Sequence, residues 1–324
     1  MKDSRELTTI FSAYLEDYLR ELPDDNLYTP VVYSLRSGGK RLRPVLLLVS
    51  ATGYGAAVEE ALPAALAIEI FHNFTLLHDD VMDNARIRRG KPSVYHKWNL
   101  NTAILSGDVM LIQAYELLTR LPAGCLNQLL PVFNTAAREV CEGQQADMDF
   151  ENREQVSRDE YLQMIRRKTA ALLAASLRMG AITGGADTEE QNTIYELGIR
   201  LGLAFQLQDD LLDTFGDEQR LGKKIGGDIS ENKKTMLYVL TYERADDADR
   251  KTLIEAYRTK PERPAEKILA VKSLFEKYDA HREVAAMVHQ YSREATELLK
   301  ALRLSGEAGQ SLATYIDKLA QRDY

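Results

Sequence analysis

The chain has 324 residues, of which 45% are hydrophobic and 28% are charged. This is the composition of a globular protein and excludes a chain that is disordered throughout. Its 49 acidic residues outnumber the 41 basic ones, and the resulting net charge of −8 argues against nucleic acid as the main partner.

Most of the chain has helical periodicity. In residues 2–21, for example, Leu7, Phe11 and Leu15 recur every fourth position, as on an amphipathic helix. Apolar patterns predict further helices over 58–83, 101–121, 131–150, 159–179, 190–215 and 231–244, and two or three more between 264 and 320. Only nine prolines and 19 glycines interrupt the chain, and no run alternates like a strand. We therefore predict one all-α domain over 1–324, with ten or more helices.

The apolar segments contain neither a signal-peptide core nor a run long enough to span a membrane, and this predicts where the protein is located. The N-terminal helix is charged and has no signal-peptide core. The longest apolar runs, 44–49 and 61–71, are shorter than the roughly 20 residues that span a bilayer. Two cysteines, Cys125 and Cys141, are too few for a disulfide framework, so we expect both to be reduced and buried. These features predict a cytoplasmic protein with no membrane span.

A polar segment, residues 37–44, separates two apolar stretches. Gly38 and Gly39 are expected to end one helix and Pro44 to lie near the start of the next. The segment carries a first group of basic residues, which are Lys40, Arg41 and Arg43.

Two aspartate motifs share the spacing DDxxD, and they consist of Asp79, Asp80 and Asp83, and of Asp209, Asp210 and Asp213. Positions i and i+4 share one face of a helix, so the outer acids of each motif point the same way. Like charges at this spacing destabilise a helix by about 0.2–0.5 kcal/mol per pair. Mg²⁺ offers compensation, because it binds one or two carboxylates and completes its shell with phosphate oxygens.

A single motif of this kind could be a solvated acidic face. Two motifs in apolar surroundings, each followed by basic residues, favour a metal site. Zinc is not expected, since the chain contains neither CxxC nor HExxH.

Basic residues occur after both motifs, at 86–91 and 223–234, and also at 166–168. Arginine and lysine both bind phosphate, the first as a bidentate fork and the second as a point charge. The chain has no P-loop, no kinase glycine loop and no GxSxG elbow. We infer a diphosphate that departs as an anion and leaves a carbocation, which needs a dry apolar cavity.

Seven blocks occur together in order: GGKRLRP at 38–44, HDDVMD at 78–83, RRGKP at 88–92, GQQAD at 143–147, KTA at 168–170, FQLQDDLLD at 205–213 and GKKIGGD at 222–228. In these blocks the chain resembles the trans-isoprenyl diphosphate synthases, or polyprenyl synthetases. The resemblance implies the all-α isoprenoid-synthase fold, a helical bundle around a central cavity that is usually a homodimer. It also implies a cluster of three Mg²⁺ ions between the two DDxxD helices when the allylic diphosphate is bound.

The resemblance assigns roles residue by residue. The six aspartates of the two motifs would hold Mg²⁺ on the allylic diphosphate, with the outer members binding directly. The isopentenyl diphosphate site would consist of Lys40, Arg43, His72 and Arg89. The allylic site would consist of Arg88, Lys168, Thr169, Gln206, Lys233 and one of Lys223 and Lys224, between which the sequence does not decide. Asp228 would be either a water-mediated metal contact or a structural residue of its loop.

The implied reaction is a head-to-tail, 1′-4 condensation. The allylic diphosphate ionises, the double bond of isopentenyl diphosphate attacks the cation, and the released diphosphate removes a proton. Two alternatives remain at this point. A class I terpene cyclase usually pairs one DDxxD with a different motif and lacks GGKRLRP. A non-catalytic subunit of a heteromeric prenyltransferase typically has eroded aspartate motifs, whereas both are intact here.

Phe74 and Thr75 precede Asp79 by five and four residues, a pattern that resembles synthases of geranylgeranyl diphosphate. Helical rise places Phe74 about 7.5 Å and Phe71 about 12 Å from Asp79 along the axis. A product growing along this helix would meet both rings, although core packing is an alternative for both and the better explanation for Phe71. We predict a product of twenty carbons, with fifteen as the next choice. His78 is expected to be a hydrogen-bonding core residue.

Overall fold

The computed structural model describes residues 3–217, 225–258 and 264–320. The helices are α1 Ser4–Glu21, α2 Tyr28–Leu35, α3 Leu42–Gly53, α4 Val58–Met82, α5 Val94–Lys97, α6 Leu100–Leu118, α7 Ala123–Glu151, α8 Arg158–Ile165, α9 Ala171–Thr183, α10 Thr188–Phe215, α11 Gly227–Ser230, α12 Met236–Arg244, α13 Asp247–Arg258, α14 Pro264–Lys277, α15 Ala280–Ala301 and α16 Gly306–Ala320. A π-helical turn, Arg166–Ala170, joins α8 to α9. The predicted all-α class with ten or more helices is confirmed.

The structure differs from the sequence prediction at several places, which include α13, Asp247–Arg258, a helix that was not predicted. A two-residue hairpin pairs β1, Ile87–Arg88, with β2, Lys91–Pro92, where no strand is predicted. Strands this short carry no alternation that a sequence could reveal. The helix predicted over 231–244 begins only at Met236. The π-helical turn interrupts the helix predicted over 159–179, and periodicity does not distinguish one wider turn from its neighbours.

The described residues fall into two compact units. The first is drawn from Met1–Asn134, Ala175–Ile194 and Leu302–Leu312, and the second from Thr135–Ala174, Tyr195–Ala301 and Ala313–Tyr324. Each unit contains one of the two aspartate motifs. The single domain over 1–324 and the central cavity stay predictions of the sequence.

The first unit is organised around α4, which packs against α3 and α6. From Ala64 to Phe71 every side chain of α4 is buried. A helix that is apolar on all sides belongs in the interior. This burial holds α4 in place, and α4 in turn positions the first aspartate motif at its C-terminal end. Glu69 is the charged exception within this buried stretch.

The second unit has its own core, in which α12 packs against α8 and α15. Leu203, Leu207 and Leu211 of α10 are buried in this core, at the i, i+4, i+8 spacing of one helix face. Burial of a leucine side chain is worth roughly 1.5–3 kcal/mol, so this face anchors α10 and with it the second motif.

The two cysteines differ in exposure. Neither forms a disulfide, and Cys125 is half-buried while Cys141 is exposed. The prediction that both are buried is therefore wrong for Cys141. Its neighbour Val140 turns towards the core, and one step along a helix rotates the next side chain by about 100°, to the outside. No helix of the described residues is long and apolar enough to cross a bilayer.

Candidate active site

The first aspartate motif lies at the C-terminal end of α4. Asp79 and Asp80 are in the last turn, and the N–H of Asp83, just past the helix, donates to the carbonyl of Asp79 at 2.8 Å. A helix C-terminus carries partial negative charge, which disfavours carboxylates there and favours cations. The motif therefore creates a strongly negative end that positive groups must balance.

Asp80, the middle acid, is balanced by a protein cation. It is 4% exposed and accepts a hydrogen bond from Arg88 Nε at 2.7 Å, with Arg88 Nη2 at 2.6 Å. Burial raises the pKa of the Asp80 carboxyl above its usual value, and the Arg88 guanidinium opposes this shift. Both guanidinium nitrogens contact the same oxygen, Asp80 Oδ1, and this contact orients Arg88, which the family resemblance assigns to the allylic site.

The hairpin that carries Arg88 is fastened to the polar segment at 37–44. Its turn residues Arg89 and Gly90 have φ of 53° and 74°, as a two-residue hairpin requires. Arg89 Nη1 donates to the carbonyl of Gly38. Gly39 has φ +130°, a conformation that favours glycine, and a Cβ there would lie 2.8 Å from Arg89 Cζ, so a larger residue would also displace the Arg89 guanidinium.

Arg43 and His72 are brought together from α3 and α4. Arg43 Nη1 lies 3.2 Å from His72 Nε2. Burial, and then the nearby Arg43, lower the pKa of His72 well below its usual value, so the imidazole is neutral and its Nε2 accepts from the guanidinium. Of the four residues predicted for isopentenyl diphosphate, these two are in contact, and Arg89 reaches the backbone two residues before Lys40.

Three further residues support the polar segment, and no role was predicted for them. Arg41 Nη1 lies 2.5 Å from Glu69 Oε1, and Asn73 Nδ2 donates to the same oxygen at 2.9 Å. The available signal was Glu69 itself, a carboxylate inside the apolar run 61–71. A buried acid must be paired, so Glu69 indicated a basic partner, but the sequence did not indicate which one.

The second motif lies at the C-terminal end of α10. Asp209 is exposed, whereas Asp210 and Asp213 are buried. Asp210 accepts hydrogen bonds from the Tyr161 hydroxyl and from Gln206 Nε2, the latter at 3.1 Å. Burial raises the pKa of Asp210 to about 7, against the two hydrogen bonds, which lower it. As in the first motif, the middle acid is held by protein donors.

Asp213 and Asp228 are linked through the backbone. The N–H of Asp228 donates to Asp213 Oδ2 at 2.9 Å, and the N–H of Gly226 donates to the Asp213 carbonyl at 2.6 Å. Burial, and then the Asp213 carboxylate, raise the pKa of Asp228 well above its usual value. Lys233 N–H donates to the Asp228 carbonyl at 2.9 Å. Lys223 and Lys224 lie outside the described residues.

The π-helical turn positions Lys168 and Thr169. Thr169 Oγ1 donates to Gln206 Oε1 at 2.8 Å, so one chain of hydrogen bonds runs from Thr169 through Gln206 to Asp210. Lys168 Nζ lies 2.5 Å from Asp147 Oδ2. A Cβ at Gly143 would lie 2.3 Å from the Lys168 nitrogen, which explains the glycine of the GQQAD block. π-helical turns occur frequently at functional sites.

The acidic residues suit Mg²⁺ bound together with a phosphate ligand. All the donors of the two motifs are carboxylate oxygens, as hard cations prefer. Among residues 3–217, 225–258 and 264–320, no three acidic, histidine or cysteine side chains form a ready metal site. Mg²⁺ needs only one or two carboxylates when water and phosphate complete its shell, so the donors of each motif fit an open site and not a closed structural one.

Aromatic rings continue from the first motif into the core of the first unit. Phe74 packs against His78 with ring centroids 4.7 Å apart and against Phe71 at 5.6 Å, and Phe71 packs against Phe133 at 5.2 Å. Phe71 is fully buried and Phe74 half-buried. His78 Nε2 lies 3.2 Å from the Ile104 carbonyl, a hydrogen-bonding position.

Known proteins resemble the chain along nearly its whole length. The polyprenyl synthetase family matches residues 24–274. A short chain isoprenyl diphosphate synthase of Methanothermobacter thermautotrophicus is 36% identical over 321 residues, covering 99% of this chain and 98% of that protein. A geranylgeranyl diphosphate synthase of Saccharolobus solfataricus is 39% identical, covering 86% and 85%. The crystal structure of a geranylgeranyl pyrophosphate synthase superimposes with a TM-score of 0.94 at 44% identity, covering 100% of both chains.

We expect Tyr161→Phe to lower the free energy of unfolding by about 1–3 kcal/mol, because the buried Asp210 loses a hydrogen-bond donor. The matched control is Tyr257→Phe in the same unit, whose buried hydroxyl has no hydrogen-bond partner among the described residues. That variant should be neutral or slightly stabilised. Urea denaturation followed by circular dichroism measures both, and equal losses in the two variants would contradict the assigned role of Tyr161.

Proposed function

Because the chain belongs to the polyprenyl synthetase family and is a prenyltransferase that makes short-chain trans-prenyl diphosphates, we propose roles in that reaction for the residues of the two motifs. The relatives are synthases, and this identifies the reaction in place of a terpene cyclase or a non-catalytic subunit. The observation that carries the proposal is shared by both motifs. Each has carboxylates at a helix C-terminus, and each has its middle acid held by protein donors.

The outer acids are the proposed Mg²⁺ ligands, namely Asp79, Asp83, Asp209 and Asp213. The middle acids, Asp80 and Asp210, act mainly by holding Arg88 and the Tyr161–Gln206 pair in place. When bound, Mg²⁺ would neutralise charge on the diphosphate and so make it a better leaving group. Asp228 supports Asp213 through its backbone N–H.

The basic residues are proposed to bind the two diphosphates. Arg43, Lys40 and Arg89 take isopentenyl diphosphate, and the neutral His72 fixes the orientation of Arg43. The allylic diphosphate is bound by Arg88, Lys168 and Lys233, with Thr169 and Gln206 beside them. Cationic donors placed in advance around the leaving group stabilise the charge that develops on it as the bond to carbon breaks.

In the proposed reaction the C1–O bond of the allylic diphosphate breaks and its electron pair leaves with the diphosphate. The double bond of isopentenyl diphosphate forms the new carbon–carbon bond to C1. The attack leaves a positive charge on the isopentenyl unit. A proton is then lost from the carbon next to that charge, the C–H electron pair forms the new double bond, and the released diphosphate takes up the proton. No protein nucleophile is needed. The chain's part is to bind both diphosphates, orient them and exclude water.

Substituting an outer acid of either motif should abolish most of the activity. We expect Asp79→Ala and Asp209→Ala each to lower turnover by about a hundredfold or more, because each removes charge stabilisation made in the transition state. Turnover is followed with Mg²⁺, isopentenyl diphosphate and each allylic diphosphate in turn, and circular dichroism checks that helicity is kept. Asp247→Ala, an exposed acid on α13, is the control. A change of less than twofold in either motif variant would contradict the metal assignment.

We propose a product of twenty carbons. Phe74 lies one helical turn before the first motif and is braced by Phe71, which is itself held by Phe133. A relative that is 39% identical is a geranylgeranyl diphosphate synthase. A half-buried ring that packs on a rigid aromatic core is a suitable floor for a growing hydrocarbon chain.

Removing this ring should lengthen the product. We expect Phe74→Ala to make a larger share of products with one or more additional five-carbon units, because the chain can extend past position 74. Phe74→Tyr, which keeps the ring, serves as the control and should retain the wild-type distribution. Chromatography of the dephosphorylated products measures chain length. An unchanged distribution in Phe74→Ala would exclude Phe74 as the floor.

We further propose that the protein is a homodimer that uses one face of α6. Leu105 and Ile112 lie two turns apart on this face and are 58% and 57% exposed, and Leu100, Ile104 and Tyr115 add to the exposed apolar surface of the same helix. Contiguous exposed apolar surface marks interaction sites. A dimer is also what the family resemblance implies.

Two negative charges introduced on this face of α6 should separate the subunits. We expect Leu105→Glu combined with Ile112→Glu to halve the mass found by sedimentation equilibrium, because a symmetric contact would bury like charges against each other. Leu269→Glu on α14, at a residue 68% exposed, is the control and should leave the mass unchanged. A wild-type monomer, or an unchanged mass in the double variant, would contradict the proposal. The cytoplasmic location stays a prediction of the sequence.

A further inference from the structure

We propose that the buried Glu69 is a positioning residue for isopentenyl diphosphate, acting through Arg41 to hold the segment that presents Lys40 and Arg43. The inference rests on the proposed assignment of this segment to isopentenyl diphosphate. The inference gives a role to Glu69, which lies outside the seven sequence blocks. It also gives Arg41 a structural role, unlike its neighbours Lys40 and Arg43, which are proposed to bind substrate.

The Glu69–Arg41 pair is buried. The side chain of Glu69 is 2% exposed and that of Arg41 10%, and Arg41 Nη1 lies 2.5 Å from Glu69 Oε1. Arg41 Nη2 donates to the carbonyl of Leu35, the last residue of α2. Arg41 therefore ties α4 to the end of α2. A carboxylate in the middle of an apolar helix is costly unless it is paired, so this contact is not an incidental surface bridge.

Asn73 fixes the carboxylate on which Arg41 is held. Asn73 Nδ2 donates to Glu69 Oε1 at 2.9 Å and to the Glu69 carbonyl at 2.8 Å. Both residues are buried in α4, one turn apart. The Glu69 side chain thus has a single well-defined position, which is what a residue that orients another one requires.

The Glu69–Arg41 pair stabilises an unusual backbone conformation at Arg41. Arg41 has φ of 48°, in the left-handed region that a residue with a Cβ rarely adopts, and α3 begins at the next residue. Its carbonyl accepts the N–H of Val45 at 3.2 Å and so starts the helix. Unfavourable backbone conformations persist where the surrounding contacts determine them. At Arg41 these contacts are the two made by its guanidinium, with Glu69 and with the carbonyl of Leu35.

One face of α4 organises the whole segment. Glu69 and His72 are three residues apart and point to the same side of the helix. The first holds Arg41, and the second lies 3.2 Å from Arg43. Arg41 uses both terminal nitrogens within the protein and is nearly inaccessible, so it does not bind substrate. Its neighbours Lys40 and Arg43 are placed by the conformation that it maintains.

The test is Glu69→Gln, which keeps the shape and removes the charge. We expect KM for isopentenyl diphosphate to rise about tenfold, while KM for the allylic diphosphate and kcat change less than about twofold, because only one of the two diphosphate sites is disturbed. Arg41→Gln should do the same. The double variant should be no worse than either single one, because both act through the same contact.

The matched control is Glu190→Gln. Glu190 is another buried carboxylate of this unit that pairs with an arginine, with Arg303 Nε at 3.0 Å, and unlike Asp80 it lies outside the proposed binding residues. It should lower the melting temperature at least as much as Glu69→Gln and leave both KM values unchanged. If Glu69→Gln does not fold, Glu69→Asp and Arg41→Lys provide the same comparison, with smaller increases expected in KM for isopentenyl diphosphate.

The outcomes separate this inference from the proposed function. If the wild-type protein does not elongate any allylic diphosphate, the proposed function fails and the inference fails with it. If the wild type is active and Glu69→Gln leaves KM for isopentenyl diphosphate unchanged, only the inference is refuted. It is also refuted if both KM values rise together, or if Glu190→Gln raises KM for isopentenyl diphosphate equally, because Glu69 would then be only structural.

Discussion

Negative charge at a helix C-terminus is the constraint that each aspartate motif meets, at the end of α4 in the first unit and at the end of α10 in the second. The partial charge of the backbone already disfavours acids there, and each helix places three of them at that end. Part of this unfavourable negative charge is compensated in the same way in both motifs. The middle acid is buried against protein donors, which are Arg88 for Asp80 and the Tyr161–Gln206 pair for Asp210.

The proposed function gives the three acids of each motif different roles. The middle carboxylate orients donors for the diphosphate, and the outer ones are the proposed Mg²⁺ ligands. A site of this kind would depend on its substrate. Without phosphate oxygens the described residues do not form a complete metal shell, and Mg²⁺ readily takes its remaining ligands from phosphate and water.

Several of the basic groups lie on irregular backbone. Arg41 and Arg89 both have positive φ, and Lys168 lies in a π-helical turn. Helices hold two of these positions, Arg41 through Glu69 of α4 and the π-helical turn through the close approach of Gly143 in α7, whereas Arg89 donates to the carbonyl of Gly38 in the polar segment. Binding groups placed on loops gain their precision from such scaffolds.

The sequence by itself determined the helical class, most helix positions and the resemblance to the family, because helical periodicity is a local property and motifs are read directly along the chain. It did not reveal the hairpin at 87–92 or the exposure of Cys141. Only the tertiary structure decided which acid pairs with which donor. Glu69 and Arg41 are 28 residues apart, and Tyr161 and Asp210 are 49 apart. Such pairs depend on how helices pack, and no pattern along the chain encodes that distance.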